Sequence, residues 1–151
     1  MTTILDGEDA VRAAVGTHLG YSDWLAIDQD RINLFADATG DHQWIHVDVD
    51  RAKDGPFGAP IAHGYLTLSL SNLFLPQIIE VRGFGMGINY GVDKVRFPAP
   101  VPVGSRVRAG VELVEVTDVG DGVQTKMVIT MEVEGGDKPA CVIEALSRFY
   151  A

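Results

Sequence analysis

The chain has 151 residues, with 12 basic and 21 acidic side chains, a formal net charge of −9, and 46% hydrophobic residues. That length suits one globular domain, and the hydrophobic share excludes an intrinsically disordered chain. Nucleic-acid binding needs a basic face, and this acidic chain has little material to build one. We therefore expect a single domain over residues 1–151 that does not bind nucleic acid.

Three local features bear on the cellular compartment of the protein. The N-terminal residues MTTILDGEDAV carry acids where a secretory signal would carry Lys or Arg. The longest apolar run, YLTLSLSNLFLPQII, is shorter than the ~20 residues of a membrane span, and it contains Ser, Asn and Pro. The single cysteine, Cys141, lies in an apolar segment and has no partner for a disulfide within the chain. These features predict a cytoplasmic protein without a membrane span, in which Cys141 fills core space.

The first half of the chain predicts two helices and one strand. Acids followed by alternating apolar positions predict a helix over residues 8–19. Residues 21–27, YSDWLAI, predict a short strand. A second helix begins after Asp28, a suitable N-cap, and ends at Gly40, where a left-handed residue is favoured. Residues 47–63 are rich in Pro, Gly and charge, and they predict an irregular connection.

The second half combines one apolar helix with a sheet. Residues 64–80 predict a helix buried inside the protein, and the glycine-rich residues 81–87 follow it. From Ile88 onward, β-branched and polar residues alternate in four segments, which predicts an antiparallel meander of four strands with an early strand added. Hairpin connections fall at residues 120–122 and 134–139. The predicted class is α+β, with an antiparallel sheet wrapped around a long central apolar helix.

Residues 39–46, TGDHQWIH, mix reactive side chains with a Trp-Ile pair that suits a core. They directly follow the second predicted helix, so we expect them on a loop beside a rigid element. A carboxylate at Asp41 and an imidazole at His46 in one partly dry pocket can share a water and exchange a proton near neutral pH. Alternatively, Asp41 caps a turn and His46 is a half-buried structural histidine. The spacing alone leaves both interpretations open.

A metal site is a further interpretation of the same residues. His42 and His46 are four residues apart, as in zinc-binding pairs on helices. They follow a glycine that ends a helix, however, and no third ligand with a suitable spacing is evident. We therefore expect no metal.

A second cluster lies at residues 60–68, PIAHGYLTL, where the apolar helix is predicted to begin. The first N–H groups of a helix have no intrahelical partner, and Gly64 has no side chain to block a ligand. Its N–H could therefore face a carbonyl oxygen that acquires negative charge, with help from the helix dipole. Alternatively, Gly64 allows close packing and His63 caps the turn.

Together these segments resemble the MaoC-like family of (R)-specific enoyl-CoA hydratases, which have the hot-dog fold. FADATGDHQWIH at residues 35–46 is similar to the family signature, and PIAHGYLTLSL looks like the start of the family's helix. NYGVDKVRFPAPVPVGS looks like the next strand, and the resemblance covers roughly residues 20–150. Gln43 and Trp44 depart from the signature, which has Asn-Pro at these positions.

The resemblance implies that Asp41 and His46 are a catalytic pair. The implied reaction is reversible hydration of trans-2-enoyl-CoA to (R)-3-hydroxyacyl-CoA in fatty-acid metabolism. The residues implied to bind the substrate or its oxyanion are Gly64, Gln43, His63 and Asn89. No cofactor is required, since CoA or an acyl-carrier protein is the handle of the substrate.

The resemblance also implies a homodimer formed by pairing of the sheets, with the acyl channel near the interface. The phosphates of CoA could meet Arg96, Arg106 or Arg108, although arginines on half-exposed strands are usually surface residues. Two other functions remain open at this point. Hot-dog proteins also hydrolyse acyl-CoA thioesters, and the Gln43-Trp44 departure leaves room for a non-catalytic acyl-binding or dehydratase-partner subunit.

Overall fold

The computed structural model describes all 151 residues, which form a large antiparallel sheet, a small parallel pair of strands and six helices. The strands are β1 (Thr3–Asp6), β2 (Thr17–Tyr21), β3 (Leu25–Ala26), β4 (Ile79–Arg82), β5 (Met86–Arg96), β6 (Arg106–Val119), β7 (Gly122–Val133) and β8 (Cys141–Tyr150). The helices are α1 (Glu8–Ala13), α2 (Gln29–Thr39), α3 (Trp44–Val47), α4 (Val49–Lys53), α5 (Gly64–Ser69) and α6 (Ser71–Ile78). None of these helices has the length and apolar character that crossing a bilayer requires.

The large sheet has the strand order β2-β6-β7-β8-β5, and β3 also pairs with β6. The predicted early strand is confirmed in β3, which pairs with β6 in antiparallel register, and the unpredicted β2 pairs with β6 beside it. The predicted four-strand meander is wrong in one respect: β6, β7 and β8 form a meander, but β5 pairs with β8 rather than with β6. Alternation of apolar and polar residues identifies strands but not their neighbours. As a result, β5 lies at one edge of the sheet.

The core lies between this sheet and the α5–α6 pair. Leu66, Leu70, Phe74 and Ile78 recur at every fourth position and are buried, so they form one apolar stripe. The stripe belongs to the same buried cluster as alternate residues of β7, among them Ile129. The predicted packing of an antiparallel sheet on an apolar helix is thus confirmed. Cys141 is buried in this core as predicted, and burial raises the pKa of its thiol to about 11.

The central helix differs in detail from the single long helix predicted over residues 64–80. It consists of α5 and α6, which meet at Leu70, where the Leu73 N–H donates to the Leu70 carbonyl in a tight turn. Just before this point the Ser69 hydroxyl donates to the Tyr65 carbonyl at 2.7 Å, a contact that competes with helical bonding. The helical segment ends at Ile78 because the next residues join β4 in the parallel pair with β1.

The predictions for the N-terminal segments need two corrections. The first helix ends at Ala13 instead of residue 19, because Gly16 turns the chain at φ 86° and the following residues pair with β6. Of the predicted strand over residues 21–27, only Tyr21 at the end of β2 and the two residues of β3 are in strands. The parallel β1–β4 pair was not predicted, since four-residue strands carry little periodic signal.

The second predicted helix is confirmed as α2. The Asp28 carboxylate accepts from the Arg31 N–H at 2.8 Å, and Gly40 ends the helix at φ 83°. The following residues are more regular than predicted. His46 lies in the one-turn helix α3 rather than on a loop, and the predicted irregular segment 47–63 contains α4.

Candidate active site

Asp41 lies directly after the glycine that ends α2, and its side chain is exposed. Its carboxylate accepts a hydrogen bond from the Gln43 N–H at 3.3 Å, which holds the short segment between α2 and α3 in a turn. The structural role considered for Asp41 is therefore present. Because one turn bond leaves acceptor positions on the carboxylate free, this role does not prevent a chemical one.

His46 lies in α3 and is 6% exposed. Its Nδ1 lies 2.7 Å from the Ile61 carbonyl oxygen, and because a carbonyl can only accept, Nδ1 carries the proton. In a neutral ring the lone pair is then on Nε2. Burial lowers the pKa of His46, an effect opposed by its bond to the Ile61 carbonyl and by the charge of Asp41. His46 is therefore a neutral ring with one basic nitrogen at neutral pH.

His63 contacts both of these residues. It is 3% exposed, and its ring stacks on His46 with centroids 3.9 Å apart and an angle of 22° between the ring planes. Its Nε2 donates to the main-chain carbonyl of Asp41 at 3.0 Å. The ring of Phe35 in α2 also contacts the His63 ring, with centroids 5.0 Å apart and an angle of 56° between the ring planes. His63 thus ties the start of α5 to both ends of the Asp41–His46 segment.

One cavity of about 470 Å³ contains these groups. Its lining includes Asp41, His46, His63 and Gly64, with the aromatic side chains of Phe35, Tyr65 and Phe97. A Cβ atom built at Gly64 would lie 3.1 Å from ring carbons of Phe97, so a larger residue there would have to displace that ring slightly. The main-chain N–H at the first position of α5 is among those without an intrahelical partner. The cavity therefore combines a base, a carboxylate and a helix terminus.

Gln43 and Asn89 do not line this cavity. The Gln43 side chain is exposed, and Trp44 packs away from the site, against Gly55 and beneath the Arg51 guanidinium. Asn89 lies on β5, where its side-chain amide N–H donates to the side-chain oxygen Oδ1 of Asn72 at 3.1 Å. Of the residues implied by the resemblance, the structure brings together Asp41, His46, His63 and Gly64.

Two of the three arginines considered for phosphate binding are engaged in ion pairs. Arg106 pairs with Glu134 at 3.1 Å, and Arg108 pairs with Glu132 at 2.9 Å. The side chain of Arg96, at the end of β5, bonds only to the carbonyl of Val95. Arg96 directly precedes Phe97 of the cavity lining, and of the three arginines it alone has no carboxylate partner.

The metal interpretation changes in one respect, because the structure supplies the third ligand that the spacing lacked. Asp41, His46 and His63 each offer a potential ligand atom, and these atoms lie within 4.8 Å of one another. His42 is not among them, since its ring pairs with Asp37. A nitrogen lone pair lies in the plane of its ring, and an ion ~2 Å from both histidines would lie well out of the plane of at least one stacked ring. The geometry favours proton transfer over metal binding.

The sequence alone did not reveal that His63 reaches Asp41 or that the Ile61 carbonyl selects the tautomer of His46. Both contacts join segments that are 15 to 22 residues apart. The available signal was the position of His63 next to Gly64 at a predicted helix start, which suggested a cap. In the structure the His63 side chain makes no capping hydrogen bond to α5.

Comparisons with known proteins agree with this geometry. The family described as MaoC like domain matches residues 10–135. The 3-hydroxyacyl-thioester dehydratase Z of Mycobacterium tuberculosis is 59% identical over 140 residues, which cover 92% of this chain and 93% of that protein. Nodulation protein N of Rhizobium leguminosarum bv. viciae is 47% identical over 133 residues, which cover 86% of this chain and 83% of that protein. The (R)-hydratase from A. caviae involved in PHA biosynthesis has a similar structure, with a TM-score of 0.70 and 25% identity over 88% of this chain and 94% of that chain.

Proposed function

We propose that this chain, which belongs to the MaoC-like domain family of hydro-lyases, reversibly hydrates trans-2-enoyl thioesters to (R)-3-hydroxyacyl thioesters in fatty-acid metabolism. The observation that carries the proposal is the pairing of a buried neutral imidazole with a carboxylate in one cavity, at the first residue of a helix. The (R) configuration is proposed from the likeness to the A. caviae (R)-hydratase.

In this proposal Asp41 and His46 hold one water molecule between them. A carboxylate oxygen of Asp41 and a ring nitrogen of His46 lie within 4.8 Å of each other, a separation that a single water can bridge with two hydrogen bonds. The water donates one hydrogen to Nε2 of His46 and the other to the carboxylate of Asp41. Because both acceptors have fixed positions, the oxygen lone pair is left to face C3 of the enoyl group.

The thioester carbonyl lies against the main-chain N–H of Gly64. When the water oxygen bonds to C3, electron density from the double bond moves onto this carbonyl and gives an enolate. The N–H at the start of α5 donates to the enolate oxygen, and Gly64 has no side chain to obstruct this contact. This contact strengthens as negative charge develops, so it stabilises the transition state more than the substrate.

The proton balance closes within the same pair of residues. His46 takes one proton from the water as the C3–O bond forms and becomes an imidazolium beside the Asp41 carboxylate. The imidazolium then gives this proton to C2 of the enolate, and the enzyme returns to its starting state. In the reverse direction the same groups remove the C2 proton and release the 3-hydroxyl group as water.

We also propose that the protein is a homodimer joined through β5. This strand pairs with β8 on one side and is the last strand of the sheet on the other. Its exposed apolar side chains are Met86, Ile88, Tyr90 and Val92. An unpaired, apolar edge strand favours pairing with another chain, and twofold pairing of β5 with its copy would cover both edges at once.

The CoA or acyl-carrier-protein handle is proposed to lie at the Phe97 end of the cavity. Arg96 is the nearby cation that no carboxylate neutralises, so it is proposed to contact a phosphate of the handle. This contact positions the substrate without taking part in the reaction.

The experiment that tests this function is an assay of the purified protein with crotonyl-CoA. The loss of enoyl absorbance and the configuration of the product are measured in the same sample, together with the release of free thiol. Loss of absorbance with an (R)-3-hydroxy product supports the proposal. Release of thiol from a saturated acyl-CoA would favour a thioesterase, and no reaction at all would favour a subunit that needs a partner.

A further inference from the structure

Gln29, the first residue of α2, contacts the segment that carries His46. Its side-chain Nε2 donates to the main-chain carbonyl of His46 at 2.8 Å and to Oδ1 of Asn33 at 3.0 Å. The first contact joins residues 17 positions apart in the sequence, whereas the second lies within α2. Gln29 therefore links the start of α2 to the main chain of the proposed catalytic base.

The orientation of the Gln29 amide follows from its two contacts. Both partners are oxygen acceptors, so turning the amide over would bring its own oxygen against two oxygens. The side-chain oxygen Oε1 is buried and has no hydrogen-bond partner within the chain. A buried polar atom without a partner lowers the stability of the fold. The fold consequently uses the N–H groups of this amide rather than its oxygen.

The carbonyl that Gln29 contacts belongs to a helix too short to hold itself. The last four carbonyl groups of a helix have no partner within that helix, and α3 has only four residues. Other segments supply donors to these groups. The Ile45 carbonyl accepts from the Ile61 N–H at 3.0 Å, and the His46 carbonyl accepts from the Gln29 side chain. The position of α3 is thus set by contacts outside α3.

The Gln29 contact ties His46 to the helix that precedes Asp41. The ring of His46 is held by the Ile61 carbonyl and by the stack on His63, and both contacts come from the segment that leads into α5. Asp41 follows the end of α2, and the chain then passes through α3 and returns to the Gln29 side chain. Attached only through the turn at Asp41, α3 could pivot about that turn. The bond to Gln29 fixes its other end.

We propose that Gln29 is a positioning residue for hydration: through its bond to the His46 carbonyl, it fixes the distance between the His46 ring and the Asp41 carboxylate. This inference rests on the proposed function, in which one water lies between those two groups. Gln29 does not line the catalytic cavity, so it acts through His46 and does not contact the substrate. Because a displacement of ~1 Å can lower a rate by about 10²-fold, loss of the bond should lower kcat.

The test compares kcat, KM and melting temperature of the native enzyme with those of Gln29→Met, using crotonyl-CoA. Met has a length and a helix propensity similar to those of Gln but no donor. It also removes the buried oxygen that lacks a partner, so the melting temperature should stay near the native value. We expect kcat to fall by about 10- to 100-fold and KM to change by less than about threefold.

Two further variants make the result specific. Gln29→Glu keeps the shape of the side chain, but at about pH 8 its carboxylate offers only acceptors to the His46 carbonyl, so kcat should fall at least as far. This variant also keeps the test decisive if Gln29→Met does not fold. Asn33→Ala is the matched control, because it removes the other bond of the same amide and leaves the His46 contact in place. It should keep the native kcat.

The Nδ1 proton of His46 gives a readout that needs no substrate. This proton is hydrogen-bonded to the Ile61 carbonyl on a ring that is 6% exposed, so NMR should show slow exchange with water in the native protein. Gln29→Met should speed this exchange, because the end of α3 that carries the ring is no longer tied to α2. Asn33→Ala should leave the exchange rate at its native value.

The outcomes separate this inference from the proposed function. A lower kcat in both Gln29 variants, with native KM, melting temperature and control, supports the inference. Native kcat in both variants of an enzyme that hydrates crotonyl-CoA overturns it and leaves the hydratase proposal standing. A loss shared by Asn33→Ala, or matched by a lower melting temperature, also overturns it, because the effect is then on the fold of α2. If the native enzyme hydrates no enoyl thioester, the proposed function fails, and exchange of the Nδ1 proton alone decides whether Gln29 positions His46.

Discussion

The ring of His63 stacks on the ring of His46 at a centroid distance of 3.9 Å, and its Nε2 donates to the main-chain carbonyl of Asp41. One buried side chain therefore contacts both members of the proposed catalytic pair. The His46 ring is held by this stack on one side and by the Ile61 carbonyl at its Nδ1. The direction of the basic nitrogen is thus set by two contacts that do not involve substrate.

We predict that His63→Phe lowers kcat for crotonyl-CoA hydration by about 10²-fold, because the Asp41 segment loses its hydrogen bond while the ring stack is kept. His63→Gln keeps a donor of similar reach, and it should lose less activity than His63→Phe. KM should change less than kcat in both, because the contact that is lost positions Asp41, although the His63 ring also lines the cavity. His18→Phe on the exposed face of β2 is a suitable control. Native kcat in His63→Phe would show that the stack and bond have no positioning role.

The acidic limb of the pH profile of kcat/KM is predicted to lie below pH 6.5. Burial lowers the pKa of His46 from its ordinary value of 6.5, so a more acidic solution is needed to protonate it. The basic form that accepts a proton from water consequently persists below pH 6.5. Measuring kcat/KM from about pH 4.5 to about pH 8 locates this limb. A limb above 6.5 would mean that a different group, or a protonated His46, controls the reaction.

If the dimer forms through β5, we predict that a charged side chain introduced on this strand separates the two subunits. Ile88 is 41% exposed on the strand that would pair with its copy, and Ile88→Lys would bury an unpaired ammonium group at that interface. Sedimentation velocity should show a dimer for the native protein and a monomer for this variant. Leu34→Lys, at an exposed position of α2, should remain dimeric. A native protein that sediments as a monomer at all concentrations would exclude this interface.

Arg96 is predicted to act on substrate binding rather than on the chemical step. Arg96→Gln should raise KM for crotonyl-CoA by roughly tenfold, with kcat unchanged, because a charge-assisted hydrogen bond to phosphate contributes ~1.5–3 kcal/mol. Arg106→Gln removes an arginine that is already paired with Glu134, so it should leave KM as it is. Equal effects of the two substitutions would show that CoA meets neither arginine specifically.

Much of the fold could be predicted because its signals are local. The Asp28 cap, the Gly40 ending and the alternation in β7 each depend on neighbouring residues, and all three are confirmed. The position of β5 could not be predicted. Its partner is β8, which lies more than 40 residues later in the chain, and local alternation does not specify the partner of a strand. The one-turn helix that carries His46 has too few residues for a period to appear.

For the candidate site too, local signals were predictable from the sequence and contacts between distant segments were not. The signature around Asp41 and His46 predicted the family, and the family match agrees with it. The roles of single residues were harder to predict, because Gln43 and Asn89 are adjacent to site segments in sequence yet lie outside the catalytic cavity. His63 shows the reverse: its contacts with Asp41 and His46 arise only when three segments pack together.

The most direct test of the central claim is the rate of crotonyl-CoA hydration by Asp41→Asn and His46→Gln. Each substitution keeps the size of the side chain but removes the carboxylate or the ring base, so each should lower kcat by about 10²–10⁴-fold. Asp50→Asn and His42→Gln change exposed residues of the same types nearby and should keep native rates. Strong loss in the first two variants and native rates in the controls is the predicted result. Native rates in Asp41→Asn and His46→Gln would contradict the proposed mechanism.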